Sequence, residues 1–269
     1  MQAENNGDSG KIKILSCNIR TSHAKRDGAN HWDNRREFCA RYIGAQQPDL
    51  IGFQEMMVAQ HAFLTEAMPE FTCHALIDEP EGGVPADGIF FRKERFDLIS
   101  AGGYWLSETP HISGTRSWDS DCIRMANWVM LRDRVSGKIF RFVNTHLDHI
   151  SQLAREKQAA MLVEDAQAFP ADYPQILSGD FNCDIHNPAL QSLFEGGWHD
   201  SYAAAHGNRY PGFTFHAFEG VDHKATQGAI DWIFTRGRLA VHSAEVLKDA
   251  ENGRYPSDHF FIGATFSPV

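Results

Sequence analysis

The chain has 269 residues, 42% hydrophobic and 22% charged, and 25 Lys+Arg against 35 Asp+Glu leave a formal charge of −10. That is too apolar for a disordered chain, and no run of about 18 apolar residues is present to span a bilayer. The acidic balance disfavours extended duplex nucleic acid, which calls for a basic surface that displaces counterions.

In chain order, residues 1–10 read as a polar tail and 11–269 as a single domain, with no repeat or linker to split it. Lys11–Cys17 is a first strand. Asp33 caps a helix running to Gln47, ended by Pro48-Asp49. Leu50–Phe53 is a short buried strand, and Ala59–Ala67 a second helix. Six strands are expected next, at Phe71–Ile77, Gly88–Arg92, Phe96–Ser100, Tyr104–Ser107, Asn127–Arg132 and Ile139–Thr145. Ser151 opens a long helix to Phe169, with Ala159, Leu162, Val163 and Ala166 at core-facing spacing. Gln175–Ser178 is another buried strand, and Asn187-Pro188 starts a helix as cap and first residue. Strands at Phe213–His216, Ala229–Phe234, Ala240–Leu247 and Phe260–Phe266 complete the chain.

Five cysteines, odd in number and without a C-x-x-C, read as reduced thiols. The start lacks the basic-then-apolar order of a signal peptide. A complete chain would be cytoplasmic; one with a leader removed would be exported.

The chemistry gathers where apolar strands end. ILSCN closes on Asn18, LIGFQE on Glu55, FRFVNTHLDH on His146 and Asp148, and ILSGDFN on Asp180 and Asn182. AIDWIF carries Asp231 between apolar neighbours, and SDHFFIGATF opens with Asp258 and His259. Taken singly, Asn18, Asp180 and Asn182 are ordinary turn formers. Asp231 needs a partner, since an unpaired buried charge is very costly, and His259 can supply it. As a set, the carboxylates and amides are hard oxygen ligands suited to Mg²⁺ or Mn²⁺. Two histidines beside them meet the needs of phosphoryl transfer: charge neutralisation, a positioned water and donors to the phosphoryl oxygens.

The ordered motifs CN, QE, NTHLDH, SGDFN, IDWIF and SDH, from about Ile12 to Phe266, resemble the endonuclease/exonuclease/phosphatase superfamily. YWLSETP and the R-S-W-D after it resemble a bacterial subgroup of it. The resemblance implies a four-layer α/β/β/α sandwich, two mostly antiparallel sheets flanked by helices. It further implies a Mg²⁺-dependent hydrolase of phosphate esters, with Mn²⁺ as a substitute. By similarity Glu55 is the central metal ligand, helped by Asn18 and Asp258. Asp180 positions or deprotonates the attacking water, and Asn182 holds that water or a phosphoryl oxygen. His146 donates to a non-bridging phosphate oxygen. Asp231 accepts from His259 and raises its pKa, leaving His259 as general base or charged clamp. Arg124, Arg20 and Trp118 are candidates for gripping substrate, against salt-bridge, solubility and core readings respectively. Asp148 and His149 are expected to position the His146 loop. A small phosphorylated substrate and a monomer fit best.

Two rival readings are weaker. A binuclear metallohydrolase of another fold lacks the further histidine motifs it needs. A non-catalytic phosphate- or carbohydrate-binding module on the same scaffold would have lost an acid or a histidine, and all are filled.

Overall fold

The computed structural model describes residues 10–207 and 209–269; of the expected tail at residues 1–10, residues 1–9 lie outside the described residues. The elements are β1 (Ile12–Asn18), α1 (Trp32–Ala45), β2 (Leu50–Gln54), α2 (Val58–Ala67), β3 (Phe71–His74), β4 (Ile89–Arg92), β5 (Phe96–Trp105), β6 (Met125–Asp133), β7 (Ile139–His146), α3 (Gln152–Gln167), β8 (Gln175–Asp180), α4 (Pro188–Glu195), β9 (His199–Asp200), α5 (Ser201–His206), β10 (Asp231–Arg236), β11 (Leu239–Leu247) and β12 (Phe261–Pro268).

They form two six-stranded sheets, ordered β11-β12-β1-β2-β4-β3 and β5-β6-β7-β8-β10-β9. Pairing is antiparallel except β1 with β2 in the first sheet and β7 with β8 in the second. The central strands are buried on both faces, so they read as apolar runs whose alternate residues enter different layers. Ile12 and Ile14 pack between the sheets with Leu50, Phe140, Phe142, Ile176 and Ile233. Leu15 and Cys17 face outward beneath Trp32, Cys39 and Ile43 of α1 and Leu64 of α2. On the far side Leu177, Trp232 and Phe234 meet Leu162 of α3 and Leu190 and Leu193 of α4. This is the expected four-layer sandwich.

Several boundaries differ from the expectation. His31, not Asp33, caps α1, its Nδ1 accepting from Asp33 N at 3.4 Å. Phe96–Ser100 and Tyr104–Ser107 fuse into β5, with a bulge between Leu98 and Ser100 that lets one strand bend. β3 stops at His74, and β10 begins at Asp231, so this carboxylate opens its strand. Phe213–His216 is no strand: only Phe215 bridges to His259.

Beneath one edge the two sheets are joined by polar groups. Gln54 Nε2 donates to Asn144 Oδ1 at 2.7 Å, Asn144 Nδ2 to the Phe53 carbonyl at 2.8 Å, and Ser178 Oγ to Asn144 Oδ1 at 3.0 Å. Gly52 faces this knot, where any Cβ would collide with Asn144 and Ser178.

Candidate active site

A parallel pair brings two carboxyl ends to one edge, and an antiparallel neighbour starts there. In the first sheet β1 and β2 align Asn18 with Gln54, Glu55 follows, and Asp258 and His259 lead into β12. In the second sheet β7 and β8 align His146 with Asp180, which in turn faces Asp231 at the start of β10. The two edges meet over a cavity of about 850 Å³ lined by Glu55, His146, Asp180, Asn182, Asp258 and His259 among others. Glu55 and Asn182 turn away from their strands at φ of 62° and 50°. Such left-handed backbone in a non-glycine residue costs about 1–3 kcal/mol and gathers at functional sites.

Glu55 is held on both oxygens: Oε1 accepts from Asn18 Nδ2 at 3.1 Å and Oε2 from Thr21 N at 2.9 Å. Burial pushes its pKa up, but Thr21, the His259 charge, Asn18 and Arg20 outweigh it and leave it lowered. Asn18 lies beneath the cavity lining and donates again to Asp180 Oδ2 at 2.9 Å, while its Oδ1 accepts from Arg20 N at 3.0 Å. Asn18 turns its amide nitrogen toward both acids and fixes Glu55 relative to Asp180.

Asp180 Oδ1 accepts from Asn182 N at 2.8 Å. Burial, then the nearby Asp231 charge, raise the Asp180 pKa well above the ordinary carboxylate range. His259 Nδ1 stands 2.9 Å from Asp231 Oδ2, and its Nε2 lies 3.8 Å from Asp180 Oδ2. Burial lowers the His259 pKa, but Asp231, Asp180 and Asp258 overcome this and push it up to about 10. The ring is therefore a cation between carboxylates, its Nδ1 hydrogen directed at Asp231.

His146 is the opposite case. Burial, then the charges of Arg124 and His259, hold its pKa well below the usual value. Asn182 Nδ2 donates to the Leu147 carbonyl at 3.0 Å, which fixes the amide's orientation, and to His146 Nε2 at 2.9 Å. The neutral ring then carries its hydrogen on Nδ1.

The candidates for substrate contact separate. Arg124 is buried, lines the cavity, and has no carboxylate within ion-pair distance among the described residues; its Nε has no partner. Arg20 also lines the cavity, but its guanidinium is committed to Asp27 at 3.0 and 3.2 Å and reaches Asp258 at 3.5 Å. Trp118 does not line the cavity. It sits in a left-handed turn with Asp119, and its carbonyl accepts from Ser151 Oγ at 2.8 Å.

The part that segment 213–217 plays in the site is not visible in the sequence, which reads Phe213–His216 only as a strand. Thr214 Oγ1 accepts from Ile230 N and Asp231 N, and the Thr214 carbonyl from Phe260 N. His216 N donates to the Asp258 carbonyl at 2.8 Å, and the Phe215 ring lies 5.1 Å from that of His259. One short stretch thus anchors both members of the Asp231–His259 pair. Its only signal was the brief alternation in FTFH.

A family model described as the Endonuclease/Exonuclease/phosphatase family matches residues 15–259. The endonuclease/exonuclease/phosphatase of Bacteroides vulgatus is similar in structure, with a TM-score of 0.87 and 26% identity, over 96% of this chain and 99% of that one. A mannosyl-6-phosphatase of Bacteroides thetaiotaomicron gives a TM-score of 0.84 at 28% identity, over 95% and 99% of the two chains. Nocturnin of Drosophila melanogaster is 27% identical over 203 residues, which are 68% of this chain and 30% of the fly protein.

Proposed function

This chain belongs to the endonuclease/exonuclease/phosphatase family of phosphoester hydrolases, and on that premise we propose that it catalyses Mg²⁺-dependent hydrolysis of a small phosphate ester. The observation that carries the reading is the convergence of Glu55, Asp258, Asp180 and His259 on one cavity.

The donor set fits a hard divalent ion. Glu55 and Asp258 offer carboxylate oxygens to the cavity. Burial raises the Asp258 pKa, and the nearby Glu55 charge adds to this against His259 and the arginines. An acidic cluster of this kind gains from a cation. Glu55 and Asp258 would hold the ion, oriented by Asn18 and Arg20. When bound, it supplies positive charge against phosphoryl oxygens in a site otherwise lined with acid.

The chain's own groups divide the remaining tasks. Asp180, with its raised pKa, accepts the proton of the attacking water. His259, protonated and pinned by Asp231, places a cationic N–H at the phosphoryl group. Neutral His146 donates to a second oxygen, positioned by Asn182, and Arg124, which lines the same cavity, meets the remaining negative charge.

Two features support a small substrate. Loops 75–88 and 106–124 both line the cavity and are tied together, Gly114 N donating to the Asp78 carbonyl at 3.1 Å, as does Trp105 Nε1. The net charge also opposes a long polyanion. Purified protein stripped with chelator should lose turnover of plain phosphate esters and sugar phosphates and regain it with Mg²⁺ or Mn²⁺. Full activity after exhaustive chelation overturns the proposal.

A further inference from the structure

Half of the H-L-D-H motif is left over by the reaction. His146 serves the phosphoryl site, whereas Asp148 and His149 face another cluster. His149 Nε2 lies 3.7 Å from Asp121 Oδ2, and Cys122 Sγ lies 3.7 Å from the same oxygen. The three ligand atoms are all within 4.8 Å of one another. Bond lengths of about 2.0–2.3 Å at a tetrahedral centre set donor separations of about 3.3–3.7 Å, so the observed spacing needs only a slight closure. Asp121 and His149 are exposed and free to make it.

The backbone around the cluster is fixed by one buried carboxylate. Asp148 Oδ2 accepts from Ser120 Oγ at 2.9 Å, Asp121 N at 2.8 Å and Cys122 N at 3.4 Å, while Oδ1 accepts from Ile150 N at 2.9 Å and Ser151 N at 2.6 Å. Asp148 therefore staples the loop bearing Asp121 and Cys122 to the turn bearing His149. We propose that Asp121, Cys122 and His149 form a second metal site, for a borderline-soft divalent ion such as Zn²⁺, on the wall of the catalytic cavity that all three line.

The chemistry differs from that of the acidic floor. A thiolate and an imidazole favour Zn²⁺ or Co²⁺ over Mg²⁺. On binding, the Cys122 S–H proton leaves to solvent as the sulfur–metal bond forms, with no change of oxidation state. Three protein ligands leave a fourth position for water or a substrate oxygen. Arg124 Nη2, 3.4 Å from His149 Nδ1, must swing aside, because the ligated ring carries its hydrogen there.

The probe is Co²⁺, added to the whole chain in excess Mg²⁺. The wild type should bind one Co²⁺ with a near-ultraviolet thiolate-to-cobalt band, release about one proton, and lose the band when Zn²⁺ is added. Cys122→Ser should abolish the band, His149→Ala should weaken Co²⁺ binding by at least about tenfold, and Glu55→Gln should leave both intact. Cys73→Ser is the control, since Cys73 Sγ stands 3.2 Å from His61 Nε2. Absence of the band in the wild type, its survival in Cys122→Ser, or its loss in Cys73→Ser or Glu55→Gln overturns the proposal. Thermal melts of each variant report whether it folds. The phosphoesterase reading stands or falls separately, on chelation.

Discussion

Each sheet is antiparallel but for one parallel pair, and the two pairs deliver chemically opposite acids to the same cavity. The β1–β2 pair ends in Glu55, which receives a hydrogen bond on each oxygen and keeps its charge. The β7–β8 pair ends in Asp180, buried beside Asp231 and driven toward protonation. The same topology gives a carboxylate held charged on one side and one driven toward protonation on the other. Both acids accept a hydrogen bond on each oxygen, so what separates them is neighbouring charge: His259 and Arg20 favour the anion at Glu55, whereas Asp231 opposes it at Asp180. Asn18 touches both acids and keeps the two edges in register.

Removing the charge holder should have the largest effect. Glu55→Gln keeps the shape but takes away a carboxylate where several kcal/mol of charge stabilisation is at stake. We expect kcat to fall by about 10⁴-fold, with Mg²⁺ affinity falling in parallel by calorimetry. Asp231→Asn tests the other edge. His259 loses the partner that fixes its tautomer and charge, as when the acid of a catalytic triad is neutralised, and kcat should drop by up to about 10⁴-fold with Mg²⁺ affinity nearly unchanged. If both variants lose Mg²⁺ affinity equally, the two edges do not divide the work. His146→Ala removes one neutral donor and should cost about 10²-fold in kcat, read in the same steady-state assay.

The contrast was legible in part. Asn18, Glu55, His146, Asp180, Asp231 and His259 stand out in sequence as a set: singly a polar residue at a strand end passes for a turn former, but together they supply what phosphoryl transfer requires. The apolar runs point to a two-sheet α/β core, and the four-layer sandwich is implied by the family resemblance of the strand-end motifs. The walls of the cavity did not show. Trp118 has the composition of a stacking residue, yet left-handed backbone at Trp118 and Asp119 turns that loop so that its carbonyl, not its ring, is used. Segment 213–217 looked like a strand because its alternation is real, but its hydrogen bonds go to residues some 15 to 45 positions away. Arg20 looked free, and only folding reveals Asp27 beside it. Long-range partners of loop residues leave no periodic trace.

The coupling of the edges can be tested from below. Gly52→Ala puts a methyl group into the Asn144–Ser178 knot between the sheets. Overpacking of this kind costs about 1–3 kcal/mol, measured as a lower urea midpoint with unchanged slope. Because the knot lies under both parallel pairs, kcat should fall as well; a stability loss with full activity would show that the edges tolerate relative movement.

The smallest effect concerns the anchor of the Asp231–His259 pair. His216 is fully buried between the rings of Tyr255 and Phe260, and its Nδ1 accepts from Gly220 N at 3.1 Å. Burial, then the charge of His259, lower its pKa to about 3. In the unfolded chain the same ring protonates near its ordinary value of about 6.5. Between these values the unfolded state binds the extra proton, so the contribution of His216 to stability is complete above about pH 6.5 and declines as pH falls toward 3. Melting temperature should therefore decrease with acidification across this window, more steeply in the wild type than in His216→Gln, whose side chain does not titrate. Equal slopes would mean that the ring takes up its proton without unfolding, and that segment 213–217 yields to charge more readily than its hydrogen bonds to Asp231 and Asp258 suggest.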